Sequence, residues 1–204
     1  MKKFIWTIII IGAIAITLNG CFMGSFGTSP PTRSLAKTQN PPIQKNFISI
    51  NTKKTERGKM RFIAEYEISG KLYGARSYGT YPQTHIPLDF AVGWGALSTH
   101  EIFNKINVRQ SKRFAYPSYK QTIPISTEEF NTSFSNNHLI PANQSIYQKL
   151  KAIKKGDLFT LKGYLVNYRE GTSRAWYDFN SSKTRTDEGD GACEVMYVEH
   201  VILY

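Results

Sequence analysis

The chain has 204 residues, 41% hydrophobic and 13% aromatic, and 26 Lys and Arg against 15 Asp and Glu give it a net charge of +11. That length supports one hydrophobic core, and 12 Tyr with 12 Phe exclude a wholly disordered chain, since such chains are poor in aromatics. Two cysteines are too few for a disulfide scaffold, and the positive balance suits anionic partners or simple solubility.

Lys2 and Lys3 precede an uncharged run from Phe4 to Leu18. The run is shorter than the ~20 residues of a spanning helix and reads as the apolar region of an export signal. It ends in Leu18-Asn19-Gly20-Cys21, the pattern of a lipobox. Residues 1–20 are therefore expected to be a signal peptide or an uncleaved anchor, with Cys21 as the lipidation site. In an uncleaved span Asn19 would need a polar partner, at a cost of ~1–3 kcal/mol, which favours lipidation. Phe22, standing where an aspartate would retain the protein at the inner membrane, favours an outer-membrane lipoprotein facing the periplasm or cell exterior. With Cys21 lipidated, Cys193 has no intrachain partner.

Residues 21–58 read as a flexible linker. Pro30-Pro31 and Pro41-Pro42 stiffen it locally, and Arg33, Lys37, Lys45, Lys53, Lys54 and Arg57 make it basic enough to lie on anionic lipid. A single globular domain is expected over 59–204. Met60–Ile68 alternates as a half-buried strand with Phe62, Ala64, Tyr66 and Ile68 on one face; Ser69-Gly70 then predicts a turn, with Lys71–Ser77 as hairpin partner. Leu88–Gly95 is an apolar run in which Asp89 is the exception. Ser98 and Glu101 have capping-box spacing, as do Ser126 and Glu129, so each predicts a short helix. A third helix, Asn143 to Ile153, puts Ile146, Leu150 and Ile153 on one stripe and ends at Lys154-Lys155-Gly156.

Three strands follow: Asp157–Tyr168, apolar on both faces with Gly163 at mid-strand, then Ser173–Phe179 and Ala192–Tyr204. A mid-strand glycine suits a bend in a small barrel. The fold class predicted is α+β, a mainly antiparallel sheet or small OB- or SH3-like barrel with two or three short helices.

The segment from Trp176 through Ser181-Ser182-Lys183-Thr184-Arg185-Thr186-Asp187 to Gly191-Ala192-Cys193-Glu194 resembles a group of bacterial membrane-associated proteins. Their C-terminal half ends in W…SS-x-T/S-R-x-D-x-G-x-G-A-C-E. Val92-Gly93-Trp94-Gly95 and His138-Leu139-Ile140-Pro141-Ala142 match two further elements of that group, so the resemblance spans residues 65–204. It implies membrane association and no particular activity.

The residues themselves offer several chemistries. A non-enzymatic module that binds a protein partner or an envelope component comes first, with Trp176, Arg185, Asp187 and Glu194 as candidate binding residues; Arg185 and Asp187 can pair to fix their loop. A thiol-dependent or hydrolytic enzyme is the alternative, with Cys193 as nucleophile, His138 as base and Asp187 or Asn143 as orienting group. Cys193, however, shares a strand face with Val195 and Tyr197, which reads as core. No cofactor is indicated. His85, His100, His138 and His200 lack metal-ligand spacing, and Asp187, Glu188, Asp190 and Glu194 do not space as a calcium loop. Arg109, Lys112, Arg113, Tyr116, Tyr119 and Lys120 interleave charge with aromatics as polymer-binding strands do. Export disfavours nucleic acid as that polymer and leaves an anionic envelope polymer.

Overall fold

Alternation along Ala64–Ile68 builds the first wall of the domain; a register shift after Phe62 turns that residue to the opposite face with Met60, and the strand does not stop at Gly70. The computed structural model describes residues 36–119, 122–172, 175–184 and 192–204, and the side chains of all of these except 49, 50, 172, 175 and 176. The export signal, Cys21, Arg185 and Asp187 lie outside the described residues. β1 (Ile43–Thr55) and the twenty-residue β2 (Gly58–Ser77) form an antiparallel hairpin. The predicted turn at Ser69-Gly70 is instead a bend within β2. A Cβ on Gly70 would stand 2.7 Å from the Gly93 carbonyl oxygen, so the glycine lets two strands close up without breaking either.

β3 (Leu88–Gly93) is buried throughout and is followed by a 3₁₀ turn (Gly95–Ser98) and α1 (His100–Phe103). β4 (Ile106–Ser111) and β5 (Phe114–Tyr119) form a separate hairpin from the predicted aromatic-basic stretch. Next come α2 (Thr127–Thr132), β6 (Phe134–Pro141) and α3 (Gln144–Ala152); β7 (Leu158–Thr172), β8 (Ala175–Phe179) and β9 (Glu194–Leu203) complete the chain order. Ser126 caps α2 as its spacing predicts, whereas α1 is capped by Thr99, one residue later than the sequence suggests. Ser98 is drawn inward to donate to the Gly95 carbonyl.

The fold is α+β and its sheet is mainly antiparallel. Pairings run β2–β3–β6–β9–β7 and return to β2, so five strands form a ring. In ring order they are the first, second, third, fifth and fourth strands, the order of an OB-type Greek-key barrel. β6–β9 is a parallel pair, and β1 and β8 extend the sheet from β2 and β7. Inside the ring, Ile68, Leu72, Phe90, Leu139, Phe159 and Met196 pack with Ile146 and Leu150 of α3, which plugs one end, and with Ile153 just after it. Fully burying a side chain such as Leu150 contributes roughly 1.5–3 kcal/mol.

β1 begins inside the stretch 21–58 read as linker. Its sequence is polar because it is an edge strand held by backbone pairing with β2 and by surface contacts such as Lys45–Glu65 at 3.8 Å. An apolar period is not needed for that. Among the described residues no helix is long and apolar enough to cross a membrane.

Candidate functional site

β3, nearly all of β6 and the first half of β9 are buried on both faces. Their inner face carries Phe90, Leu139 and Met196, and their outer face carries a set of polar groups. Asp89 lies directly opposite His138 across β3–β6, and His138 lies beside Val195 across the parallel β6–β9 pair. Side chains alternate along a strand, so Asp89, Asn136, His138 and Cys193, two residues before Val195, come to the same outer face. The β4–β5 hairpin and the end of β8 cover it.

Asp89 is 1% exposed. Its Oδ1 lies 2.9 Å from Arg113 Nη1 and 2.9 Å from His138 Nδ1. The His138 contact is close but off the hydrogen-bond axis, leaving Nδ1 and Asp89 Oδ2 without a well-aligned bond. His138 and Cys193 line one cleft, close enough for the sulfur to influence the imidazole. Burial works against a charge on this imidazole, but Asp89 and Cys193 outweigh it and push its pKa up to about 9. The imidazolium form therefore prevails at neutral pH.

Arg113 reaches Asp89 from an unusual place. It and Lys112 form the two-residue turn of the β4–β5 hairpin, both left-handed, with φ of 70° and 50°. Such turns favour Asn-Gly, and a side chain there costs roughly 1–2 kcal/mol per residue. Arg113 offsets that cost through its bonds. Its Nη2 donates to the Ile86 carbonyl at 3.1 Å, its backbone N–H donates to the Tyr78 hydroxyl at 3.0 Å, and its guanidinium stacks 3.7 Å from the Tyr78 ring centre.

Cys193 is only partly buried. With Arg113, Phe114, His138, Asp178, Phe179, Asn180 and Val195 it lines a cleft of about 450 Å³. The core placement expected for Cys193 is thus corrected: Val195 and Tyr197 are buried beyond it, but Cys193 precedes the strand and opens on the cleft.

The structure therefore places Cys193 and His138 on one cleft and sets the Asp89 carboxylate beside His138. Asn143, considered for that role, instead caps α3 by accepting from the Ile146 N–H. Asp187 lies outside the described residues. Glu194 is 1% exposed and belongs to the inner face of β9, away from the cleft. Trp176 stands on β8 opposite Gly171. His85 stacks on Tyr168, and His100 meets Asn104 on its own helical turn. Among the described residues no group of three His, Cys, Asp or Glu is placed to hold a metal ion. On the hairpin, Tyr116 and Tyr119 are exposed, with Arg109 stacked 4.4 Å from the Tyr116 ring centre.

The sequence offered one signal for Asp89, an acid in an otherwise apolar run. It offered none for Asn136, whose amide fills the space between Cys193 and Arg113.

A pH prediction follows from His138. Because its pKa rises from 6.5 to about 9, the stability it confers is complete below pH 6.5 and is lost as pH climbs through 9. Roughly 2–3 kcal/mol should disappear over that window. Urea unfolding at pH 6 and pH 10 reads it directly, and His138→Gln should flatten most of the difference.

No family model matches the chain, and neither does any curated protein or solved structure.

Proposed function

We propose that this protein is a membrane-tethered, extracytoplasmic cysteine-dependent acyl hydrolase or acyltransferase. The observation that carries the reading is His138, 2.9 Å from Asp89, on the open cleft that Cys193 also lines. The tether rests on the uncharged run before Leu18-Asn19-Gly20-Cys21. This reading replaces the non-enzymatic binding module as first choice because Cys193 faces the cleft with a charged imidazole beside it.

The chemistry is nucleophilic catalysis. The Cys193 thiolate attacks a carbonyl carbon, forming a C–S bond and moving the carbonyl electron pair onto oxygen. The tetrahedral adduct collapses, the leaving amine or alkoxide departs, and it takes the proton from the His138 imidazolium. Neutral His138 then removes a proton from water, or from an incoming amine, which attacks the thioester and frees the thiolate. Asp89 keeps the imidazolium favourable at each stage.

Iodoacetamide alkylation tests the reading on the full chain in detergent. Cys193 should react at pH 7 at least tenfold faster than glutathione, and His138→Gln should remove that advantage. p-Nitrophenyl acetate should give a stoichiometric burst of p-nitrophenol that Cys193→Ser abolishes. A thiol no faster than glutathione and indifferent to His138→Gln would overturn the proposal.

A further inference from the structure

We infer that Asn136 is a catalytic residue of this site, its Nδ2 donating to the Cys193 thiolate and then to the carbonyl oxyanion formed during acyl transfer. The inference rests on the thiol-enzyme reading above and deepens it.

Asn136 is 6% exposed, on β6 two residues before His138. Its amide can point only one way. Oδ1 accepts from Gln110 Nε2 at 3.1 Å, while Nδ2 donates to the Arg113 carbonyl at 2.8 Å. Gln110 Nε2 is itself held by the Asp89 carbonyl at 3.2 Å. Flipping the Asn136 amide would set oxygen against the Arg113 carbonyl and nitrogen against Gln110 Nε2, two repulsions in place of two bonds. Nδ2 therefore keeps a second hydrogen for Cys193 Sγ, 3.7 Å away, an ordinary separation for a bond to sulfur.

Position gives that hydrogen a chemical use. In the tetrahedral adduct the oxyanion is borne by the carbon bonded to Sγ, so a donor already aimed at Sγ is within reach of it. A fixed, desolvated N–H needs no reorganisation as charge develops, and loss of one such donor typically costs about 10²–10³ in rate. Several other groups face the same thiol. His138 approaches from β6, Asp89 backs it from β3, Arg113 comes from the β4–β5 turn, and Asp178 lines the cleft from β8. Arg113 is engaged by Asp89, which leaves Asn136 as the neutral donor at the sulfur.

The rate of Cys193 alkylation by iodoacetamide, followed against pH on the full chain, separates the possibilities. Asn136→Leu should raise the midpoint of the thiolate-dependent rate, and burst acylation by p-nitrophenyl acetate should fall about 10²-fold. Asn136→Asp, almost unchanged in shape, should raise the midpoint further, and it decides the question if the leucine variant does not fold. In the wild type the Asn136 side-chain amide protons should shift in NMR spectra with the same midpoint, and Cys193→Ser should abolish that shift. A silent amide, or a midpoint unmoved in the folded variants, overturns the inference. If His138→Gln still slows alkylation in that case, only the role of Asn136 fails; if it does not, the thiol-enzyme reading fails with it.

Discussion

Asp89→Asn should lower the free energy of unfolding by about 3–5 kcal/mol and bring the His138 pKa down from its raised value. Asp89 is 1% exposed and answers two cationic side chains through a single oxygen, Oδ1, which lies 2.9 Å from both Arg113 and His138. An amide of the same shape keeps the packing and removes the charge. It leaves a guanidinium, clamped to Ile86 and Tyr78 and three-quarters buried, without its carboxylate partner. His138 can escape by losing its proton, and Arg113 cannot. The penalty should therefore fall mainly on Arg113, and the variant Asp89→Asn/Arg113→Met should recover much of it. Urea unfolding gives the stability change, and the His138 ring-proton shift in NMR spectra gives the pKa. A loss below about 1 kcal/mol, in the range of an exposed ion pair, would mean that the carboxylate does not hold the site together. The same variant should slow alkylation of Cys193 at pH 7, because the imidazolium partner is lost.

Gly163→Ala should be of comparable size, by a different mechanism. A Cβ at this position would lie 2.0 Å from the Tyr197 carbonyl oxygen and 3.2 Å from the Glu199 nitrogen. Both are backbone atoms of β9, and the β7–β9 register shifts between Lys162 and Gly163. No rotamer change relieves such a clash, so the two strands must separate. A loss of 3 kcal/mol or more is expected, at the upper end of overpacking effects. Gly95→Ala is the useful contrast. Its φ of +58° disfavours a side chain, but its nearest contact is 3.7 Å away, so it should cost about 1 kcal/mol. Comparable losses at both positions would mean that backbone conformation, not strand approach, sets the penalty.

Gly163 also shows what the sequence could reveal. A glycine in a strand apolar on both faces points to a bent barrel strand, and the helix stripe of Ile146, Leu150 and Ile153 points to the plug. These are local patterns, and local patterns survive into the fold. β1 was hidden because an edge strand needs backbone partners and not an apolar face. Ser69-Gly70 misled because a glycine that allows close strand approach looks the same in sequence as one that allows a turn. The site was half legible. Cys193 and His138 stood out by residue type, but Asp89 meets His138 through β3–β6 register and Arg113 reaches Asp89 from a left-handed turn. Neither relation leaves a mark at short range. The alternation that placed Cys193 with Val195 was right about the face and wrong about burial, since what covers that face comes from the β4–β5 hairpin and β8.

The parallel pairing of β6 with β9 bears on when the proposed thiol chemistry can exist. His138 and Cys193 are neighbours only through contacts between segments more than fifty residues apart, and pairing of that kind forms late and slowly. Until β9 docks, the ring is open and the imidazole has no sulfur beside it. For the proposed thiol chemistry, reactivity and docking of β9 are then a single event. Nascent or damaged copies would be chemically quiet, and the speed at which the thiol takes a label would count the molecules that have finished folding.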